Sequence, residues 1–419
     1  MKNSDFLIIG GSAAGTTAAE TIRNNLPNSS ITIVTDEDHE QYSRVLLPHY
    51  IRGKVAREQV FLKKEEWYVQ KNIVLLKELK ALSLEVSRKQ VRLSNGEVYK
   101  YGKLLIAIGG KVIKLNVPGA DSANILYLRT IEDADMVIEA SRQSKRGLII
   151  GGGFVSLDFA TGFRVNGVRE VTILTRDPYF WSAHLDPESS RIMTNLLSAN
   201  GVEIMTGEEV DHFEAQKGDF FLSVGSIVTK SKKKLESDIV GVGIGIKSDL
   251  EWLIRAGIKT NRAIVTNEYL ETNIVDVYAA GDCAEFHDVF FERQHIMGNW
   301  ANATSQGNAV GRTMSGARTV FETASSYSDT FFNNSYSFIG VTDEKFADEA
   351  INRGSVEAGK MTRIFVKKMN GSTRIVGATV INSVADVSPL TTVVKNSIDI
   401  VRYKDNLGDE KFDLREVIA

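Results

Sequence analysis

Hydrophobic and polar positions along the chain repeat one arrangement twice: an apolar strand, a glycine-rich turn and a helix. In the first copy, the apolar run at 6–9 leads into the turn GGSAAG at 10–15, a helix of small residues to about position 23 and a second strand at 31–34. In the second copy, the strand at 147–150 leads into GGGFVS at 151–156, a helix and a strand at 171–174. Such turns let backbone amides approach a pyrophosphate, so the repeat predicts two nucleotide-binding α/β domains.

Shorter patterns fill the rest of the chain. Alternating segments at 90–93 and 101–107 predict strands, with a turn at Asn95-Gly96 between them. The lysine-rich stretch at 230–234 predicts a hairpin tip or loop, either a solvated surface or a place where an acidic electron carrier docks. Beyond position 316, strand-like runs at 361–367 and 374–381 and a helix at 387–400 predict a third, α+β domain.

Composition narrows the class of protein. The formal net charge of -3 over 419 residues argues against a general nucleic-acid binder. Apolar runs stay well short of a membrane span, so we expect no membrane segment. The one cysteine, Cys283, allows no intrachain disulfide, which favours a reducing, cytoplasmic compartment. His287 and His295 lack the ligand pattern of a metal site, and we predict none.

The residues that follow the second strand of each unit bear on ribose recognition. Asp36 and Glu37 supply carboxylates suited to ribose hydroxyls. In the second unit, Thr175 and Arg176 stand where an NAD-binding unit would place an acid. A guanidinium can hold a 2′-phosphate, which favours NADPH over NADH, although Arg176 could equally be a solvated surface residue. If the loop turned by one residue, Asp177 would face the ribose and favour NADH.

Further motifs accompany the two turns in a fixed order. They are YSRVLLPH at 42–49, AIGG at 107–110, LRTIED at 128–133, GIG at 243–245, YAAGDCA at 278–284 and WANA at 300–303. Together with the turns, they resemble the FAD-dependent pyridine-nucleotide reductase superfamily. The nearest branch is similar to the rubredoxin, ferredoxin and putidaredoxin reductases, with the flavin module of the large nitrite reductase subunit close to it.

The resemblance implies an α/β fold with two Rossmann-like domains, for FAD and NAD(P), and a C-terminal α+β domain. The FAD domain is then discontinuous, at 1–115 and 245–322, with the NAD(P)H domain at 116–244 and a C-terminal interface domain at 323–419. It also implies FAD and NADPH or NADH as cofactors, a small redox protein of the rubredoxin or ferredoxin type as partner, and a possible homodimer through the C-terminal domain.

Residue roles follow from the same resemblance. The FAD-binding residues would be Gly10, Ser12, Ala14, Gly15, Asp36, Glu37, Arg44, Ala81, Ala107, Gly109, Arg129, Gly281, Asp282 and Trp300. The nicotinamide nucleotide would be bound by Gly151, Gly153, Phe154, Val155, Thr175, Arg176 and Gly243. His49, Asp158 and Trp300 would lie at the catalytic centre. Alternatives stay open for two of them: His49 as an ordinary loop histidine, and Trp300 as core packing.

The missing cysteines decide the route of the electrons. Disulfide reductases of this superfamily need a cysteine pair, or a single reactive thiol, beside the flavin, and neither the helix after the first turn nor the loop to His49 contains one. Electrons are therefore expected to leave the flavin directly, toward a small carrier protein. Two alternatives remain: an NAD(P)H oxidase or quinone reductase, and an FAD-binding subunit of a larger complex without independent catalysis.

Overall fold

The computed structural model describes residues 1–217, 222–324 and 326–418. The fold consists of two compact units. The first contains Met1–Val45, Ala56–Lys111 and Ile246–Ser325, and the second contains Leu46–Val55, Val112–Gly245 and Ser326–Ala419. Among the described residues, no helix is both long enough and apolar enough to cross a membrane.

The helices and strands alternate through most of the chain. The α-helices are α1 (Ala13–Asn25), α2 (Leu47–Ile51), α3 (Glu65–Gln70), α4 (Ile131–Gln143), α5 (Phe154–Val165), α6 (Pro187–Ala199), α7 (Glu251–Arg255), α8 (Trp300–Met314) and α9 (Val384–Lys395). The strands up to the second repeat are β1 (Lys2–Ile9), β2 (Ile31–Val34), β3 (Ile73–Leu76), β4 (Ala81–Glu85), β5 (Gln90–Leu93), β6 (Val98–Ile106), β7 (Lys111–Val112), β8 (Ile125–Leu126), β9 (Arg146–Ile150) and β10 (Glu170–Leu174). The later strands are β11 (Val202–Met205), β12 (Val210–Lys217), β13 (Leu222–Thr229), β14 (Lys234–Glu236), β15 (Ile239–Val242), β16 (Ile246–Lys247), β17 (Ile264–Val265), β18 (Val277–Ala279), β19 (Ala284–Asp288), β20 (Arg293–His295), β21 (Ser326–Phe331), β22 (Asn334–Gly340), β23 (Glu349–Ser355), β24 (Lys360–Met369) and β25 (Ser372–Ile381).

The first unit is built on a seven-stranded sheet. Its order is β3-β2-β1-β6-β5-β4, with β18 paired to β6. The strands β3, β2, β1, β6 and β18 run parallel, and β5 and β4 add an antiparallel edge. Because the parallel strands are covered on both faces, β2 is buried at every position.

Helices α1 and α8 lie side by side on one face of this sheet. The buried face of α1 consists largely of small residues, which allow the α8 backbone to come close. A Cβ atom on Gly307 of α8 would lie 2.4 Å from the Ala14 carbonyl oxygen of α1, and one on Gly311 would lie 3.0 Å from the Ala18 carbonyl oxygen. Glycine is therefore required at both positions of α8 for the two helices to meet.

The second unit contains a parallel five-stranded sheet and an antiparallel one. The parallel sheet has the order β11-β10-β9-β15-β8, and α5 follows β9 directly. The antiparallel sheet has the order β21-β22-β25-β24-β23, with α9 packed on it. A buried ion pair joins the two parts, since Arg363 of β24 donates from Nη1 to Asp186 Oδ2, the N-cap residue of α6, at 2.5 Å.

Most predicted elements are present close to their predicted positions. The strand predicted at 6–9 begins earlier, at Lys2. The helix predicted at 387–400 spans Val384–Lys395, and its predicted end is wrong because Ser397 adopts a left-handed φ of +50°, which a helix cannot continue through. Of the stretch at 230–234, residues 230–233 form the turn between β13 and β14, as predicted, and Lys234 begins β14. The three domain boundaries stay a prediction.

Candidate functional site

The first glycine turn joins β1 to α1 in the first unit. Gly10 has a left-handed φ of +120°, and a Cβ atom there would lie 2.1 Å from the Ala107 carbonyl oxygen. A Cβ atom on Gly15 would lie 1.9 Å from the Gly10 carbonyl oxygen. Ser12 is the N-cap of α1 and makes no side-chain cap of its own, so the first amides of the helix stay available to an anion.

The segment Gly281-Asp282 lies against this turn. Gly281 has a φ of +82°, and a Cβ atom there would lie 3.3 Å from the Ala14 Cβ atom. The Gly281 amide donates to Gln306 Oε1 of α8 at 2.7 Å. The Gln306 Nε2 and Asn302 Oδ1 atoms are buried and have no hydrogen-bond partner among the described residues. A bare glycine cradle beside two such polar atoms fits a polar ligand such as FAD.

The predicted ribose carboxylates have different environments. Asp36 is exposed, directly after the buried Thr35. Glu37 instead accepts hydrogen bonds from the Tyr42 hydroxyl and the Arg44 guanidinium. Burial alone would lower the pKa of Arg44, but Tyr42, Glu37 and Asp282 together raise it, so this guanidinium is a fixed positive charge. The Glu37–Arg44 ion pair was not foreseen, and it leaves Asp36 as the more accessible carboxylate.

The remaining first-unit candidates lie at the ends of strands or on α8. Ala81 begins β4, Ala107 follows β6, and Gly109 has a φ of +59° with its carbonyl oxygen accepting from Ser248 Oγ at 2.6 Å. Trp300 is the first residue of α8, half-buried, and packs against the apolar cluster beneath that helix.

The single thiol is closed off from chemistry. Cys283 is fully buried, and its Sγ lies 3.4 Å from the carbonyl oxygens of both Ile106 and Ala280. Burial raises the pKa of this thiol to about 12. A neutral, inaccessible thiol is neither a nucleophile nor a disulfide partner.

The second glycine turn joins β9 to α5 in the second unit. Gly151 has a φ of +127°, and a Cβ atom there would lie 2.3 Å from the Gly243 carbonyl oxygen. A Cβ atom on Gly243 would lie 3.0 Å from the Val155 Cβ atom. Gly153 is the N-cap of α5, so its first amides start at Phe154. As in the first turn, a Cβ atom on the first glycine would collide with a backbone carbonyl oxygen. The predicted residues lie together at this turn: Gly151, Gly153, Phe154, Val155 and Gly243.

The predicted 2′-phosphate residues follow β10. Thr175 is buried, and its Oγ1 accepts a hydrogen bond from the Asp177 amide at 3.2 Å. Arg176 is exposed, and its guanidinium makes no hydrogen bond or ion pair within the described ranges. The side chains of Arg176 and Asp177 therefore both stay candidates for contact with the ribose end of a nucleotide.

His49 and Asp158 share one electrostatic environment in the second unit. Asp158 is half-buried, and enclosure of its carboxyl group raises its pKa well above the usual range; Asp329 raises it further, and Arg52 opposes this. Burial and Arg52 lower the pKa of His49, against the effect of Asp329. Arg52 donates from Nη1 to the Thr330 carbonyl oxygen at 3.0 Å, while its Nε and Nη2 are buried without a partner in the described part of the chain.

Two tyrosines complete this environment. The Tyr327 hydroxyl donates to Asp329 Oδ2 at 3.3 Å, and burial raises the pKa of both Tyr327 and Tyr336. Both tyrosines come from the antiparallel sheet.

Arg129, predicted to bind FAD, lies just before α4, where its amide donates to the capping carboxylate of Asp133 at 2.8 Å.

Sequence reasoning missed several of these residues. Arg52 stands three positions after His49, the last residue of the YSRVLLPH motif at 42–49, so it could have been found with that motif. Asp329 and Tyr327 had no signal, because no local pattern links β21 to a helix more than 150 positions earlier. Trp181 was also missed, and its left-handed φ of +62° cannot be read from sequence.

Comparison with known protein families gives a match that includes both glycine turns. The family model described as pyridine nucleotide-disulphide oxidoreductase matches residues 4–307. The chain belongs to this family. As a pyridine nucleotide-disulphide oxidoreductase, it is an oxidoreductase whose cofactors are FAD and a pyridine nucleotide, as predicted.

Members of the family with defined functions resemble it along most of its length. It is 27% identical to nitrite reductase [NAD(P)H] of Bacillus subtilis over 292 residues, which are 70% of this chain but only 36% of that protein. It is 26% identical to putidaredoxin reductase of Pseudomonas putida over 429 residues, covering 100% of this chain and 97% of that one.

A solved structure extends the likeness to the whole fold. The covalent putidaredoxin reductase–putidaredoxin complex matches with a TM-score of 0.92 and 26% identity, covering 100% of this chain and 99% of that one. The predicted branch of the pyridine nucleotide-disulphide oxidoreductase family and the predicted fold class are both confirmed. The individual site residues stay predictions.

Proposed function

We propose that this protein is an FAD-dependent NAD(P)H reductase that passes electrons, without a redox disulfide, to a small carrier protein of the rubredoxin or ferredoxin type. The observation that carries the proposal is the combination of two glycine turns with one inaccessible thiol. A thiol relay needs an accessible thiolate, and Cys283 is buried with its pKa raised to about 12.

The residues of the first unit would hold FAD. The amides that begin α1 and the Arg44 guanidinium suit the pyrophosphate, and Asp36 suits the adenine ribose. Asp282 would accept hydrogen bonds from the ribityl hydroxyls. When bound, FAD accepts a hydride equivalent and gives up electrons singly, which is the chemistry that a one-electron carrier requires.

The residues of the second unit would hold the nicotinamide nucleotide. The Gly151–Gly153 turn and the amides of α5 suit its pyrophosphate. Thr175 stands in place of an acid, and the exposed Arg176 that follows it has no partner among the described residues, which favours NADPH. The resemblance implies a catalytic centre that contains His49, Asp158 and Trp300, and we keep this as a prediction.

We do not expect the lysine-rich stretch at 230–234 to attract the carrier protein. Each of its lysines lies beside an acid: Lys230 with Glu209, Lys232 with Asp211, Lys233 with Glu208 and Lys234 with Glu214. Local charge is therefore balanced, and a solvated surface is the better interpretation. The proposal also includes a reducing, cytoplasmic location and a homodimer through the C-terminal domain.

The test is anaerobic reduction followed by reoxidation. NADH or NADPH should bleach the flavin absorption, and a rubredoxin or a small ferredoxin should restore it far faster than oxygen does. Rapid reoxidation by oxygen or by a quinone, with no response to carriers, would favour the oxidase or quinone reductase. A flavin that neither nucleotide bleaches would favour the non-catalytic subunit, a role to consider because this chain spans 36% of the nitrite reductase.

A further inference from the structure

Trp181 has an unusual backbone conformation for a bulky residue. It lies in the loop between β10 and α6, is only 2% exposed, and adopts a left-handed φ of +62°. A bulky side chain in that region is an outlier that the surrounding structure has to enforce. Such enforced outliers concentrate at functional sites, where the strain fixes one orientation of a side chain.

A set of aromatic rings enforces the position of Trp181. Phe154 meets it edge-to-face with the ring centroids 4.5 Å apart. Two side chains of β22 also contact the indole: the ring centroid of Phe338 lies 5.1 Å from it and that of Tyr336 5.4 Å. Rings at these distances and angles are attractive contacts, so the indole is held against the first turn of α5.

The indole nitrogen lies beside the glycine turn. A Cβ atom on Gly153 would lie 3.7 Å from Trp181 Nε1, and one on Gly152 would lie 3.6 Å from the Trp181 backbone nitrogen. Trp181 is 2% exposed, and its indole N–H donates to no protein group within the described ranges. A buried tryptophan usually finds a partner for this group, so its place beside the turn indicates a ligand that supplies the acceptor.

A second unsatisfied group stands at the same turn. Ser156, in the first turn of α5, is 0% exposed, and its Oγ has no partner among the described residues. It would lie 3.2 Å from a Cβ atom on Gly151. Two side-chain donors without a partner in the described residues therefore lie beside the glycine turn that begins the twelve-residue helix α5, and an anion is the ligand that can accept from such donors and from the first amides of the helix.

We propose that Trp181 is a nucleotide-binding residue whose indole N–H donates to a phosphate oxygen of the dinucleotide at the Gly151–Gly153 turn. The inference rests on the proposed function, since it requires a nucleotide there. It adds a ligand contact from outside the glycine motif, and it gives the aromatic rings of β22 a purpose: they position the donor.

The test uses Trp181→Phe in the FAD-bound protein. Phenylalanine keeps an aromatic ring for the packing but lacks the five-membered ring that contains the N–H. Calorimetric titration with NADP⁺, NAD⁺ and ADP-ribose should show binding weakened about tenfold or more for all three, because each contains the pyrophosphate. Trp252→Phe, at another buried tryptophan, is the matched control and should bind all three as the wild type does.

The possible results separate the two proposals. Wild-type affinity in Trp181→Phe, at unchanged melting temperature and flavin content, would overturn the role of Trp181 and leave the proposed function intact. A wild-type protein that binds none of the three ligands would overturn both. If Trp181→Phe does not fold, nitrogen-15 indole spectra of the wild type decide: the Trp181 resonance should move downfield with NADP⁺, and a fixed resonance at saturation would overturn the inference.

Discussion

Asp282 offers the most direct test of flavin binding at the level of one side chain. It follows the left-handed Gly281 beside α1, where the resemblance implies contact with the ribityl chain. Asp282→Ala should weaken FAD binding by about 1–3 kcal/mol, because the ribityl hydroxyls lose a charged acceptor. Fluorescence titration of the flavin-free protein with FAD measures this. Asp249→Ala, at an exposed carboxylate of the same unit, should bind FAD normally, and equal losses in both variants would count against the assignment.

Nucleotide choice depends on Thr175 and Arg176. If Arg176 holds the 2′-phosphate, Arg176→Ala should lower kcat/KM for NADPH and barely change it for NADH. The loss for NADPH should correspond to about 1.5–3 kcal/mol of transition-state stabilisation. Thr175→Glu should reverse the preference, because the new carboxylate repels the 2′-phosphate and contacts the free ribose instead. Steady-state kinetics with both nucleotides measure each effect. Equal losses with NADH and NADPH in Arg176→Ala would show that the arginine is structural and would leave Asp177 as the discriminating residue.

Asp158 should make stability depend on pH. Its pKa is raised well above the ordinary 3.8, so the folded chain holds this proton more tightly than the unfolded chain does. The folded state therefore loses stability as pH rises from 3.8 toward the raised value. Asp158→Asn cannot ionise, so its stability relative to the wild type should increase as the pH rises from about 4 toward the raised pKa of Asp158. Denaturant unfolding at a series of pH values measures the difference between Asp158→Asn and the wild type.

At the level of elements, the close contact between α1 and α8 in the first unit depends on glycine. Gly307→Ala would place a Cβ atom 2.4 Å from the Ala14 carbonyl oxygen, so the helices would have to separate. The expected cost is about 1–3 kcal/mol of unfolding free energy. FAD occupancy should also fall, because Ala14 lies in the first turn of α1, whose amides we propose bind the FAD pyrophosphate. Thermal unfolding and flavin content measure both. Gly408→Ala, whose nearest neighbour would be 3.5 Å away, should change neither.

The elements themselves were predictable because their signals are local. A strand, a glycine turn and a helix within thirty positions reveal a dinucleotide site, and both turns formed where the sequence placed them. The partners of the site residues were not predictable. Arg44 joins Glu37, and β22 supplies rings to Phe154, through contacts between distant segments that leave no periodic pattern. Backbone outliers such as Trp181 and Ser397 are likewise set by tertiary packing.

For the whole molecule, the route of the electrons should be independent of sulfur. Cys283→Ser should keep NAD(P)H-driven reduction of an artificial acceptor within about tenfold of the wild type, because the thiol is buried and protonated. The native protein should also resist a thiol reagent that modifies the unfolded chain at once. A larger loss of turnover with FAD still bound, or rapid labelling of the native thiol, would show that the sulfur takes part.

The way the chain alternates between its two units has a consequence for biosynthesis. Strand β6 pairs with β1, from the start of the chain, on one side. On the other side β5 covers only its first residues, and its last residues, 104–106, pair with β18, which begins at Val277. A ribosome therefore releases the first strands long before their last neighbour exists, and the open edge of β6 must be protected meanwhile. FAD would then be captured late, after α8 has emerged and closed on α1, so a nascent chain stalled before that helix should carry no flavin.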